Sequence, residues 1–246
     1  MLIAGFTLAQ IAFALAAALG SAFVRGLTGF GMAILMVPVL ALALPPVEAV
    51  LLTNALALML GATEIRSLVR DAERSAWVIG ALVVLATPLG LYALSITDRN
   101  TARAVIALIA LSAFAAILLP KRGAGMPGRL TTGAVGVVSG LLTGYAGMPG
   151  PPVVPYYAGR DLPRATIKAS MQLIFTIAAS AGLASATWLG ILRWELLLFA
   201  LAMLPMIIAG NRMGARVSGR VSDPVWRVFV ALVLGGAAAA ALARLV

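Results

Sequence analysis

The chain contains no cysteine and no histidine among its 246 residues. That removes disulfides, thiolate chemistry, the usual zinc and haem ligands and a histidine proton relay. Charge is scarce too, at 11% of residues against about 25% in ordinary soluble domains. No Walker A sequence, no metal-ligand spacing and no catalytic triad can be assembled from the few polar residues. The reading is a protein that is not an enzyme and needs neither cofactor nor metal.

What is abundant is apolar sequence, 62% of residues with a mean hydropathy of +1.07. Apolar runs fall at about 6–24, 31–45, 48–65, 76–96, 102–120, 130–146, 151–159, 164–190, 195–211 and 224–245. A span needs about 20 residues, so the chain is expected to be an all-α integral membrane protein of roughly 8–10 helical segments. The whole of 1–246 is expected to form a single transmembrane domain. Runs 31–45 and 151–159 are short, and they carry Pro38 and Pro151, Pro152 and Pro155. Proline removes amide donors and interrupts the helix ladder, so both are expected to be broken or re-entrant helices.

The formal charge of +10 does not point to nucleic acid, because the basic residues sit in short loops between apolar runs. Arg66, Arg70 and Arg74 share one loop, Lys121, Arg122 and Arg129 a second, Arg160, Arg164 and Lys168 a third, and Arg212, Arg216 and Arg220 a fourth. Placing all four on the cytoplasmic side satisfies the positive-inside bias. The basic 66–74 loop then corresponds in order to the nearly bare 190–194 connection, and 97–101 to the basic 212–223 connection. Matching elements facing opposite sides is the signature of inverted-topology repeats, here about 1–122 and about 129–246. No Lys or Arg precedes Arg25, so the first run lacks the charged start of a signal peptide and is expected to remain as a span. The Ala-, Gly-, Leu- and Arg-rich composition suggests a bacterial source.

Two glycine-rich breaks interrupt the apolar sequence, Arg25-Gly-Leu-Thr-Gly-Phe-Gly31 and Ser139-Gly-Leu-Leu-Thr-Gly-Tyr-Ala-Gly147. Thr28-Gly29-Phe30 aligns with Thr143-Gly144-Tyr145 at a separation of 115 residues. Broken backbone at membrane depth survives only inside protein or along a hydrated cavity, so paired breaks point to a transport site. Arg25 is the sharpest residue, with no charge nearer in sequence than Glu48. A charge at membrane depth is by default functional, although a guanidinium at a helix end can instead reach the headgroups. Arg25, the hydroxyls of Thr28 and Thr143, and amides freed at Gly29, Gly31, Gly144 and Gly147 would together receive an oxyanion. The alternative for the glycines is close helix packing.

Phe30 and Tyr145 would gate such a site. Asn54, Ser170 and Gln172 would line it, and Lys168 would guide an anion inward. Glu48 is a candidate coupling carboxylate, with helix capping the alternative.

Gly26-Leu-Thr-Gly-Phe-Gly31 running into Val37-Pro38 and Pro45-Pro46-x-x-Ala49-Val50 resembles the first repeat of the TauE/SafE sulfite-exporter family. Gly140 to Gly147 with Lys168-Ala169-Ser170 resembles its second. The resemblance implies a secondary transporter of the bacterial inner membrane for a small sulfur-containing anion, sulfite or an organosulfonate such as sulfoacetate. The implied motif residues are Gly26, Thr28, Gly29, Phe30, Gly31, Gly140, Thr143, Gly144, Tyr145 and Gly147. The run Met148-Pro149-Gly150-Pro151-Pro152 departs from the pattern and would reshape one wall. The expected partners are the anion and the lipid bilayer, with a homodimer as the default assembly. A carrier of carboxylates or other inorganic anions, an anion channel and a non-transporting assembly subunit are the alternatives.

Overall fold

The computed structural model describes residues 2–3, 6–118, 127–158 and 160–217, with a few positions beyond 231. Among the described residues a two-residue strand pair, Leu2–Ile3 with Phe6–Thr7, precedes nine helices. These are α1 (Leu8–Thr28), α2 (Met32–Ala43), α3 (Pro46–Asp71), α4 (Arg74–Ile96), α5 (Arg99–Leu118), α6 (Arg129–Ala146), α7 (Gly150–Ala158), α8 (Arg164–Trp188) and α9 (Trp194–Val217). Five of them, α1, α3, α4, α8 and α9, are long and apolar enough to cross a membrane. The expected short segments are α2 and α7, of 12 and 9 residues. Most of the run 224–245, with Lys121, Arg122 and Arg220, lies outside the described residues.

Local chemistry sets the boundaries. Thr7 and Gln10 form a capping box at the start of α1. Pro45 and Pro163 stand at the N-caps of α3 and α8, where a missing N–H costs nothing. Gly29 and Gly147 end α1 and α6 in the left-handed conformation, with φ of 85° and 65°.

The helices α3 and α8 cross at the centre. Leu51 to Leu56 of α3 and Ala169 to Ile174 of α8 are buried without a break, as expected of helices enclosed on all sides. Outer helices turn their apolar side chains outward instead; Leu85 of α4 is 74% exposed. A lipid solvent accounts for that inversion.

The same close packing is built twice. The helices α1 and α9 run parallel, because Gly210 meets Leu19 and Gly214 meets Phe23 and Leu27 in step. The helices α4 and α6 do likewise, Gly136 meeting Ile79 and Leu82, Gly140 meeting Val83 and Ala86, and Gly144 meeting Thr87 and Leu91. A methyl group at Gly26 would collide with the carbonyl oxygen of Asn211 and the amide of Ala215. One at Gly144 would collide with the carbonyl oxygen of Thr87 and the amide of Leu91. Gly26 and Gly144 are thus equivalents 118 residues apart, as are Gly29 and Gly147, and Pro45 and Pro163. At the 115-residue separation the settings differ, Gly29 being a helix cap while Gly144 lies inside α6; a separation of 118 residues pairs glycines of like setting.

Hydrogen bonds fix the two ends of the bundle. Gln10 donates to the Ala43 carbonyl at 2.9 Å, Arg103 donates to Ala41, and Arg193 pairs with Glu48 at 3.0 Å, gathering the starts of α1, α3, α5 and α9. At the opposite end Thr132 bonds Tyr156 at 2.9 Å, Ser75 bonds Tyr157 at 2.7 Å, and Arg160 pairs with Glu73. The starts of α4 and α6 lie there. The hairpin α1–α2 therefore opens toward the first end and α6–α7 toward the second.

Candidate functional site

The tips of the two hairpins meet over the α3–α8 crossing and line a partly open cavity of about 50 Å³. Arg25, Phe30, Gly31 and the first turn of α2 form one part of the wall, and Gly147, Met148, Pro149 and Gly150 another. Asn54 and Ala57 of α3 and Gln172, Phe175 and Thr176 of α8 complete it.

The cavity side of α2 is its first turn. Gly31 is its N-cap, with φ of 93° and no side-chain cap bond. The amides of Met32, Ala33 and Ile34 are those that a helix start leaves without intrahelical acceptors, and all three residues line the cavity. The start of α7 is different: Pro151 and Pro152 carry no N–H at all. Thus the two tips differ in chemistry: the first turn of α2 offers three such amides, whereas at the start of α7 the prolines leave that of Gly150. Because Gly29 and Gly31 hold left-handed φ, alanine at either should cost about 1–2 kcal/mol. Chemical unfolding of the variants in detergent measures this.

Arg25 is 8% exposed and is held from two sides. Its Nη1 donates to Asn211 Oδ1 at 3.1 Å and its Nη2 to Glu64 Oε2 at 3.4 Å. These bonds engage two of the five N–H donors of a guanidinium. In sequence the nearest charge to Arg25 is Glu48; in space it is Glu64, two turns before the end of α3. Asn211 could have been suspected from the Gly210 and Gly214 around it, a small-residue pattern that marks close helix contact. Nothing in the sequence singled out Glu64 from its neighbours.

Of the sequence-predicted residues, the structure brings Arg25, Phe30, Gly31, Asn54, Gly147 and Gln172 to the cavity wall. The others lie elsewhere. Thr28 Oγ1 sits 2.9 Å from the Val24 carbonyl and 2.8 Å from the Phe30 carbonyl, bracing the turn itself. Thr143 donates to the Ser139 carbonyl at 2.7 Å within α6, and Gly144 packs on α4. Tyr145 reaches Thr97 at 3.4 Å. Gly29 caps α1 against the stem of the exposed Lys168. Ser170 accepts from the Glu73 amide at 2.9 Å, and Glu48 pairs with Arg193. The amide nitrogen of Asn54 is buried without a partner, close against Gly182.

No group of three or more Asp or Glu that could hold a metal occurs among the described residues. A cationic side chain, two carboxamides and uncapped amides suit a small oxyanion instead. Neither a curated protein nor a solved structure matches the chain. The sequence profile of the sulfite exporter TauE/SafE family matches residues 13–241, nearly the whole length and both hairpins. The chain belongs to the sulfite exporter TauE/SafE family, and is accordingly a multi-pass membrane protein of a transporter family for small anions.

Proposed function

We propose that the protein binds sulfite, or a small organosulfonate such as sulfoacetate, in the cavity between the hairpin tips and carries it across the bacterial inner membrane by alternating access. The observation that carries this reading is a buried arginine facing a cavity beside an uncapped helix start. Size favours the smaller ligand. A water needs about 10–15 Å³ on this measure, so about 50 Å³ suits a compact oxyanion better than an extended one.

The halves act as inverted repeats in this reading. Support comes from the parallel pairs α1–α9 and α4–α6, which start from opposite ends of the bundle. Each end also carries an ion pair joining the halves: Glu48 of α3 with Arg193 before α9, and Glu73 before α4 with Arg160 before α8. Arg160 also lies over the rings of Tyr156 and Tyr157 at 5.6 and 5.8 Å. Alternating access would open one latch while the other stays closed.

Transport is tested with purified protein in liposomes. Labelled sulfite should enter saturably, and sulfite should compete better than a panel of carboxylates. Carboxylates competing equally well would favour the carboxylate reading, and conductance without saturation a channel.

The latch gives a separate prediction. Partial burial pushes the Glu73 carboxyl up, but hydrogen bonds from Arg160 and Ser75 outweigh it and hold it below the ordinary glutamate range. A lowered folded pKa means the pair stabilises the closed form above the ordinary glutamate pKa and is lost as pH falls through the lower value. The latch should therefore persist at pH about 5 and open only on stronger acidification. With no native cysteine, a single thiol introduced by Ala57→Cys at the cavity wall reports opening. Glu73→Gln should raise its labelling by an impermeant maleimide applied to the Glu73 side.

A further inference from the structure

We propose that Glu64 is the resident counter-ion of Arg25 and sets how weakly the cavity holds its anion. The inference rests on the oxyanion reading above. Arg25 is the only Lys or Arg lining the described cavity, and an unneutralised guanidinium buried there would bind an oxyanion too tightly to release it.

Three observations assign this role to Glu64. First, the contact is single and long, 3.4 Å, where charge-assisted bonds of this type run at about 2.7–2.9 Å and arginine often pairs through two. Second, the partners differ in freedom: the Glu64 side chain is 37% exposed and that of Arg25 10%. Glu64 does not line the cavity, so it tempers the guanidinium from behind while Asn211, a neutral acceptor, fixes its position.

Third, packing does not require the pair. In the 118-residue register Arg25 corresponds to Thr143 and Glu64 to Gly182. There the second half carries no charge, Thr143 bonding its own helix and Gly182 lying against Asn54. A charge pair present in one of two equivalent places belongs to the ligand's chemistry rather than to the fold. The oxyanion would approach the cavity face of Arg25 and loosen its bond to Glu64; the carboxylate, returning, would help expel the anion.

The test is sulfite binding and transport by purified full-length protein. Glu64→Gln keeps the size and an acceptor but removes the charge, and Glu64→Ala removes both. Both are expected to bind sulfite about tenfold more tightly, the order of effect for one nearby charge in a partly shielded site. They should lower KM and kcat together, because release becomes slow. A residue that merely orients Arg25 would give weaker binding when removed and no fall in KM. Wild-type protein that binds sulfite through Arg25, with both Glu64 variants binding equally or more weakly, would overturn this proposal alone. Failure of both variants to fold would assign Glu64 to structure and overturn it too. No sulfite binding by the wild type would instead sink the oxyanion reading.

Discussion

Arg25→Gln should reduce sulfite transport by roughly 100-fold, since hydrogen bonds to charged groups contribute about 1.5–3 kcal/mol and the guanidinium offers more than one. The variant keeps a polar side chain between Asn211 and Glu64 but cannot neutralise an anion. Arg25→Lys restores the charge without the planar fork, so an intermediate loss of about tenfold is expected. Proteoliposome uptake at saturating and limiting sulfite measures both, with the unfolding midpoint in detergent as the control for folding. An Arg25→Gln protein that folds and transports at the wild-type rate would remove Arg25 from the site.

The second large effect concerns stability. Gly26→Val and Gly144→Val should each destabilise the protein by about 3 kcal/mol or more, at or above the upper end for overpacking. In both places the added carbon meets backbone of the neighbouring helix, which cannot rotate away as a side chain can. Gly133 lies in the same helix as Gly144 with nothing within 4 Å of an added carbon, so Gly133→Ala should be neutral or slightly stabilising, as alanine is favoured over glycine in helices. Thermal unfolding in one detergent compares the three. Equal midpoints for Gly144→Val and Gly133→Ala would contradict the close α4–α6 contact.

Much of the helical order was legible because membrane helices write themselves as apolar runs. Every described helix overlaps a predicted run, and the proline-bearing runs 31–45 and 151–159 are the short α2 and α7. The breaks at Gly29–Gly31 and Gly147 were legible as well, since left-handed backbone selects glycine. The division of labour among glycines was not. Gly26, Gly140 and Gly144 serve helix contact and Gly29, Gly31 and Gly147 serve the turns, yet one-letter similarity aligns Gly29 with Gly144.

Polar side chains were harder still. Thr28 and Thr143 look like ligand hydroxyls in sequence, but a threonine in a helix can satisfy itself on the carbonyl one turn back, and Thr143 does so. The partners of Arg25 come from α3 and α9, 39 and 186 residues away. Pairings over that distance follow from tertiary packing, which no local pattern encodes.

The central claim is that an oxyanion sits between Arg25 and the start of α2. Selenite, a heavier analogue of sulfite, makes this directly visible through the anomalous scattering of selenium in crystals of the protein. The account predicts a selenium peak inside the cavity, its oxygens within hydrogen-bond distance of the Arg25 guanidinium and the amides of the first turn of α2. A peak only at the surface arginines, with the cavity empty and Arg25 still bound to Glu64, would contradict it.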